Sequence, residues 1–289
     1  MPRDISPIMA FARRADPDRF LCTLFAPAAV RETLCLLMAF NYELARARTA
    51  ARNPMAALIR LQWWRDAVAE AAAGAAPRRH EVAEPLHAAI RAGRLPAEAL
   101  TALIDAREIE IDEDGISSSV AFGAYLRGTA GGLAVLTGRV LAAPGTVMPC
   151  LEAMGAAYGQ AGVLRSVGAH AAQGRCLLPV DALARHGLSP HSVMVDPSVA
   201  GPVLRDLARS ALAALPCCTV AGGALAAALL VVLARRDLVA LAAGRAVAAP
   251  RGVADRLAVA MAGIRGRVHV RPLRVAEGGC LPGHREGGG

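Results

Sequence analysis

Ser166 and His170 are the first residues whose types and spacing suggest chemistry. They stand four apart in the stretch GQAGVLRSVGAHAAQGRCLLP, Gly159 to Pro179. On a helix that spacing places both side chains on one face. A Ser–His pair is the centre of one kind of activated nucleophile. No carboxylate lies nearby in sequence to orient the imidazole, so a solvated or packed pair is the plainer account. A second cluster, EIEIDED at Glu108 to Asp114, concentrates carboxylates. Glu108, Asp112 and Asp114 are of the type that ligates Mg²⁺ or Ca²⁺, though the run lacks the spacing of a Ca²⁺ loop. A solvated helix face explains it as well. GTAGG, Gly128 to Gly132, is no dinucleotide-binding fingerprint and follows no strand; it reads as small residues that let helices approach.

The elements that must position these residues are helical. Ala and Leu dominate a chain that is 55% hydrophobic and only 3% aromatic, while period-two runs of β-branched residues are scarce. Breakers divide the chain into about eight helices and no good strands: Ala28 to about Ala51, a stop at Asn53-Pro54, Met55 to about Ala72, Ala97 to about Asp112, Ser117 to Leu141, and Pro149 to about Ala172. The uncharged run from Ala211 to Ala234 is long enough to span a bilayer. Its Ala content and internal Pro216, Gly222 and Gly223 favour a buried helix split near Pro216. The tail from 271 to 289 is Gly-rich and expected to be disordered. Residues 1–17 form an N-terminal extension, and 18–270 one large domain.

The formal net charge is +8, and all 32 basic residues are Arg. They are spread along the chain without a basic block, which argues against nucleic acid and leaves an anionic membrane surface or a diphosphate as partners of suitable charge. Seven Cys in no metal-ligand spacing read as reduced thiols of a cytoplasmic protein, and the N-terminus shows no apolar core of signal-peptide length.

The opening stretch resembles the second signature of the squalene/phytoene synthase family, roughly LRD-V-x-E-D-x-x-x-G-R-x-Y-L-P. Here it stands as Leu164-Arg165-Ser166-Val167-Gly168-Ala169-His170 and then Gly174-Arg175-Cys176-Leu177-Leu178-Pro179. Phe20 to Phe40 is similar to the family helix leading into its first Asp-rich motif. Ala99 to Asp112 and Ala124 to Leu141 resemble its central helices. The resemblance covers about residues 18–265. It implies an all-α isoprenoid synthase fold with a central cavity. It also implies prenyl diphosphate substrates, with Mg²⁺ held by carboxylates of two Asp-rich motifs.

Both motifs are emptied of carboxylates. The first frame gives Ala45-Arg46-Ala47-Arg48-Thr49, the second gives Ser166 and His170, and an expected Asn is Gly162. Ser and His are poor Mg²⁺ ligands, and Arg46 and Arg48 are cations where a cation would bind. Arg46, Arg48, Arg165 and Arg175 remain as candidate phosphate contacts. FNYELARAR (Phe40 to Arg48), IRLQWWRDAV (Ile59 to Val68) and DAREIEID (Asp105 to Asp112) resemble a degenerate branch of the family that includes a mitochondrial complex I assembly factor and bacterial relatives. That resemblance implies a protein without catalysis or cofactor. Its partners would be respiratory complex subunits or assembly proteins and a prenyl or lipid molecule, and it would lie in the cytoplasm or peripherally on the inner membrane. The alternative is an active head-to-head prenyltransferase whose Mg²⁺ ligands are displaced to Glu108, Asp112 and Asp114.

Overall fold

Side-chain caps and prolines fix where the helices begin. In a computed structural model, which describes residues 5–51, 53–112, 115–247 and 251–273, Ser6 accepts from the Met9 amide to open α1 (Pro7–Ala15), and Asp16 accepts from the Arg19 amide to open α2 (Pro17–Thr23). α3 (Ala28–Thr49) follows. Asn53 caps α4 (Pro54–Ala73), and Gly74 stops it at φ 80°, a conformation glycine adopts without strain. Next come α5 (Ala83–Arg91), α6 (Ala97–Asp105), α7 (Ser119–Leu126), α8 (Gly132–Val140) and α9 (Met148–Arg165). The chain continues through α10 (Val167–Ala171), α11 (Val180–Ala184), α12 (Pro190–Val195) and α13 (Gly201–Ala213). It ends with α14 (Leu225–Ala228), α15 (Leu230–Ala242) and α16 (Val253–Ile264).

Three stretches read as single helices from the sequence are divided in the fold. Ala97 to Asp112 stops at Asp105 and resumes as a 3₁₀ turn, Glu108–Ile111. Ser117 to Leu141 contains a π-turn, Arg127–Gly131, between α7 and α8. Pro149 to Ala172 breaks at Ser166 between α9 and α10. The uncharged run from Ala211 is also split. After Pro216 it forms β1 (Cys218–Ala221), which pairs antiparallel with β2 (Arg267–Val270), Cys218 opposite Val270. The sequence pattern indicates no strand there; each is four residues long, too short for a clear alternation. Among the described residues, no helix is long and apolar enough to cross a membrane. Residues 274–289, most of the Gly-rich tail, lie outside those described.

α9 is the hub. It packs against α8, α13, α15 and the π-turn, while α3 packs against α1, α4 and α8. Close approach depends on glycine: a Cβ at Gly155 would sit 2.5 Å from the Ala130 carbonyl oxygen and 2.6 Å from the Ala134 Cβ. Phe40 and Trp64 meet edge to face at 5.4 Å, joining α3 to α4 in the core. Cys150 and Cys218 are joined by a disulfide with a Cα–Cα distance of 6.8 Å, where the sequence reading takes all seven cysteines as free thiols. The pairing joins the start of α9 to the first residue of β1, a proximity that 68 residues of separation conceal.

Candidate functional site: an arginine-lined cavity

A cavity of about 420 Å³ opens between α3, α7, α9 and α10. Its wall contains Ala45 and Thr49 from the first emptied motif, and Gly162, Arg165, Ser166 and His170 from the second. Arg175 from the loop after α10 also lines it. The fold thus brings the two motif frames to one chamber. Arg46 stands outside it, half-exposed, 3.4 Å from Glu43 and stacked over the Tyr42 ring. Arg48 is not in the lining either. On α3 these two arginines follow the face next to Ala45 and Thr49, which are themselves four apart and share the inward face.

Five arginines line the chamber, Arg19, Arg107, Arg165, Arg175 and Arg251, against two carboxylates, Asp16 and Glu110. Both carboxylates are engaged. Arg19 Nη1 lies 2.6 Å from Asp16. Glu110 is buried, and it accepts from Arg107 Nη1 at 2.6 Å and from the Tyr125 hydroxyl at 2.8 Å. Arg175 Nη2 lies 3.5 Å from the other Glu110 oxygen and donates to its backbone carbonyl. Arg107 also donates to Asn41 Oδ1 at 2.9 Å, tying this post to α3. Burial pulls the Arg107 guanidinium towards losing its proton, but Glu110 and Tyr125 beside it together more than offset this and leave its pKa raised. Burial, with Glu110 adding to it, pushes the Tyr125 phenol far above its ordinary range, so the hydroxyl remains a donor.

A second chain of charges crosses to the C-terminal helices. Arg251 donates to both oxygens of Asp237, at 2.9 and 2.7 Å, and to Asp18 at 2.5 Å. Tyr158 donates to the same Asp18 oxygen at 3.0 Å. Arg165 Nη1 lies 3.6 Å from Asp237, within ion-pair reach but beyond a hydrogen bond, and is buried with no hydrogen-bond partner. His170 Nδ1 is likewise buried without one. Burial, then the nearby Arg175, lowers the His170 pKa, while Glu110 pulls the other way. Ser166 ends α9, and among the described residues His170 Nδ1 has no carboxylate partner to orient it as a nucleophile's base.

Of the displaced-ligand carboxylates, Glu108 and Asp112 do not line this chamber. Glu108 is half-exposed and pairs with Arg65, which also holds Asp105. Asp112 is not among the lining residues, and Asp114 lies outside the described residues. Sequence reasoning missed Glu110 and Arg107, two residues inside the stretch it quoted. The pair is i,i+3 and would share a face on either kind of helix; what the sequence does not show is that the 3₁₀ turn buries this face, turning Glu110 inward among Arg107, Tyr125 and Arg175. Asp237, a lone carboxylate in the apolar helix LVVLARRDLVALA, carried a signal that a search for buried charge would find.

Mg²⁺ requires oxygen ligands in octahedral array, chiefly carboxylates. The motif positions offer Ala45, Thr49, Ser166 and His170, and Asp16 and Glu110 are taken by arginines. Among the described residues, no group of three or more His, Cys, Asp or Glu is arranged to hold a metal. The residues present do not fit the ion.

An all-α bundle with the two signature frames on α3 and α9 at one cavity is the architecture of isoprenoid synthases. This chain belongs to the squalene/phytoene synthase family, whose sequence profile matches residues 12–274. Among curated proteins it is 30% identical over 178 residues to mouse and rat "NADH dehydrogenase (ubiquinone) complex I, assembly factor 6", a match that spans 61% of this chain. The human protein of that name is 28% identical over the same length. The match covers 53% of these relatives, so the chain spans about half their length. Among solved structures it superposes on the squalene synthase HpnC from Alicyclobacillus acidocaldarius, with TM-score 0.59, 16% identity, and 90% and 92% of the two chains covered. A dehydrosqualene synthase in complex with ligand gives TM-score 0.67 at 12% identity, with 89% and 94% covered. At such identities these two show the fold.

Proposed function

We propose that this chain has left prenyl transfer and acts in the assembly of respiratory complex I, lying peripherally on the inner membrane, with its cavity kept as a binding site for an anionic prenyl or lipid molecule. The observation that carries the reading is the pairing of an intact frame with emptied motifs: four motif positions without a carboxylate, in a chamber whose five arginines exceed by one the four acids, Asp16, Asp18, Glu110 and Asp237, that pair with them. Such a chamber favours phosphate oxygens and repels a free divalent cation. Arg165, whose Nη1 lacks a hydrogen-bond partner, and Arg175 are the phosphate contacts; Arg46 and Arg48 stand off the cavity. The similarity to assembly factor 6 supports the partner class, respiratory complex subunits or assembly proteins.

The test is turnover. Purified protein is incubated with farnesyl diphosphate, Mg²⁺ and NADPH beside an active squalene synthase, and released diphosphate is followed. The expected result is no metal-dependent release, with farnesyl diphosphate binding detected by calorimetry in the absence of Mg²⁺. Metal-dependent release by this chain refutes the reading.

A further inference from the structure

α16 buries only one side. Val259 and Gly263 turn inward, Gly263 so close to the Phe25 ring that a methyl group there would collide with it. At 3.6 residues per turn, Val253, Leu257, Met261 and Ile264 fall within about 80° of arc on the outward side. They are 72, 58, 49 and 76% exposed, so a continuous apolar stripe runs the length of the helix. By the same geometry Arg265 borders the stripe on one flank, and Arg256, exposed, lies about 60° beyond Val253 on the other. Arg267 and Arg271, both exposed, follow at β2. None of these four guanidinium groups has a side-chain hydrogen bond or ion pair among the described residues. The one acid of the helix, Asp255, lies away from the stripe and is taken by Arg236 at 2.8 Å.

We propose that this face of α16 docks, in plane, on an anionic lipid bilayer. An apolar stripe flanked by cations is the pattern of an interfacial helix: the apolar side chains enter the boundary between headgroups and acyl chains, and the cations meet lipid phosphates. Arginine stems lie along apolar surface while the guanidinium stays among the headgroups, and its fork matches phosphate oxygens. A net charge of +8 draws the whole chain to such a surface. A protein partner or a second copy fits less well: protein interface cores are rich in aromatic residues and depleted of charge, whereas α16 has no aromatic residue and is bordered by free arginines. The proposal rests on the peripheral-membrane part of the function above and not on whether the cavity is catalytic.

The experiment is co-sedimentation of the full chain with vesicles of phosphatidylcholine and phosphatidylglycerol, with pure phosphatidylcholine vesicles as comparison. Binding to the anionic vesicles is expected, falling with salt. The double variant Leu257→Asp/Ile264→Asp, at exposed positions that leave the core intact, loses at least about tenfold in partition. Arg256→Gln and Arg265→Gln each lose roughly fivefold. Ile59→Asp, at an exposed apolar position on α4, leaves binding unchanged. If the wild type binds and the double variant binds equally, the assignment of α16 is overturned while the membrane reading stands. If the wild type binds no vesicle, both fall. A dimer of the wild type that the double variant abolishes, without vesicle binding, shows a second copy on this face and overturns the proposal.

Discussion

Glu110→Gln replaces one oxygen of a buried carboxylate by an amide and keeps its shape. In the native protein its side chain is 5% exposed and answers Arg107 at 2.6 Å and Arg175 at 3.5 Å, whose own side chains are 12% and 8% exposed. The variant leaves two guanidinium groups out of water with no counter-charge. Removing one partner of a buried pair costs about 3–5 kcal/mol, far more than the pair itself contributes over an apolar replacement. For a domain of this size that corresponds to a fall in Tm of roughly 10 °C. Two residues earlier the opposite holds. Glu108 is 50% exposed and its partner Arg65 is 21% exposed, so Glu108→Gln costs under about 1 kcal/mol. Urea unfolding followed by circular dichroism and by the fluorescence of Trp63 and Trp64 measures both variants. The reasoning is refuted if the two substitutions cost the same, or if Glu110→Gln costs less than about 1 kcal/mol. A restoring effect of Arg107→Leu placed on Glu110→Gln would identify the stranded cation as the cause.

Asp237→Asn leaves Arg251 with Asp18 alone and takes from Arg165 its one carboxylate neighbour, so a loss smaller than that of Glu110→Gln, about 2 kcal/mol, is expected in urea unfolding; an unchanged midpoint would show that the crossing chain carries no stability. Gly155→Ala forces a methyl group into the Ala130 carbonyl at the crossing of α9 and the π-turn and is expected to cost about 2 kcal/mol; equal or higher Tm would mean the helices separate freely. His170 has its pKa lowered from 6.5 by burial and then by Arg175, so the unfolded chain takes up this proton first as pH falls. Its contribution is therefore intact above about 6.5 and is lost as pH drops through and below that value. His170→Gln should shrink the difference in urea midpoint between about pH 7.5 and about pH 5.5; an unaltered difference would assign the slope to other groups.

Helices and their stops were legible because they are written in local chemistry. Asn53-Pro54 ends one helix and caps the next, and α3 runs within two residues of the sequence reading. The position of the cavity was legible only through the two signature frames, which composition alone would not reveal. What escaped were departures from α-helical spacing. The 3₁₀ turn at Glu108–Ile111 turns Glu110 inward, and the π-turn at Arg127–Gly131 interrupts a stretch of unbroken helix-compatible sequence. Long-range partners escaped too: Arg251 finds Asp18 across 233 residues, and nothing in either neighbourhood announces the other. Such choices are made by packing and by the need to neutralise buried charge, after the local elements exist.

The two ends of α16 are fastened differently from its middle. Arg251, one residue before the helix's N-cap, is clamped by Asp18 and Asp237, and the chain beyond its C-terminus is held by the β1–β2 ladder. Both ends of the helix are thereby tied to the rest of the fold. The tie at its start, Arg251, is also part of the cavity wall. Asp237, which holds Arg251 by both oxygens, also lies 3.6 Å from Arg165, so the anchor of α16 and an arginine of the cavity share one carboxylate. The outer helix and the chamber within are thus not separate parts of the protein: substitution of that carboxylate alters both at once.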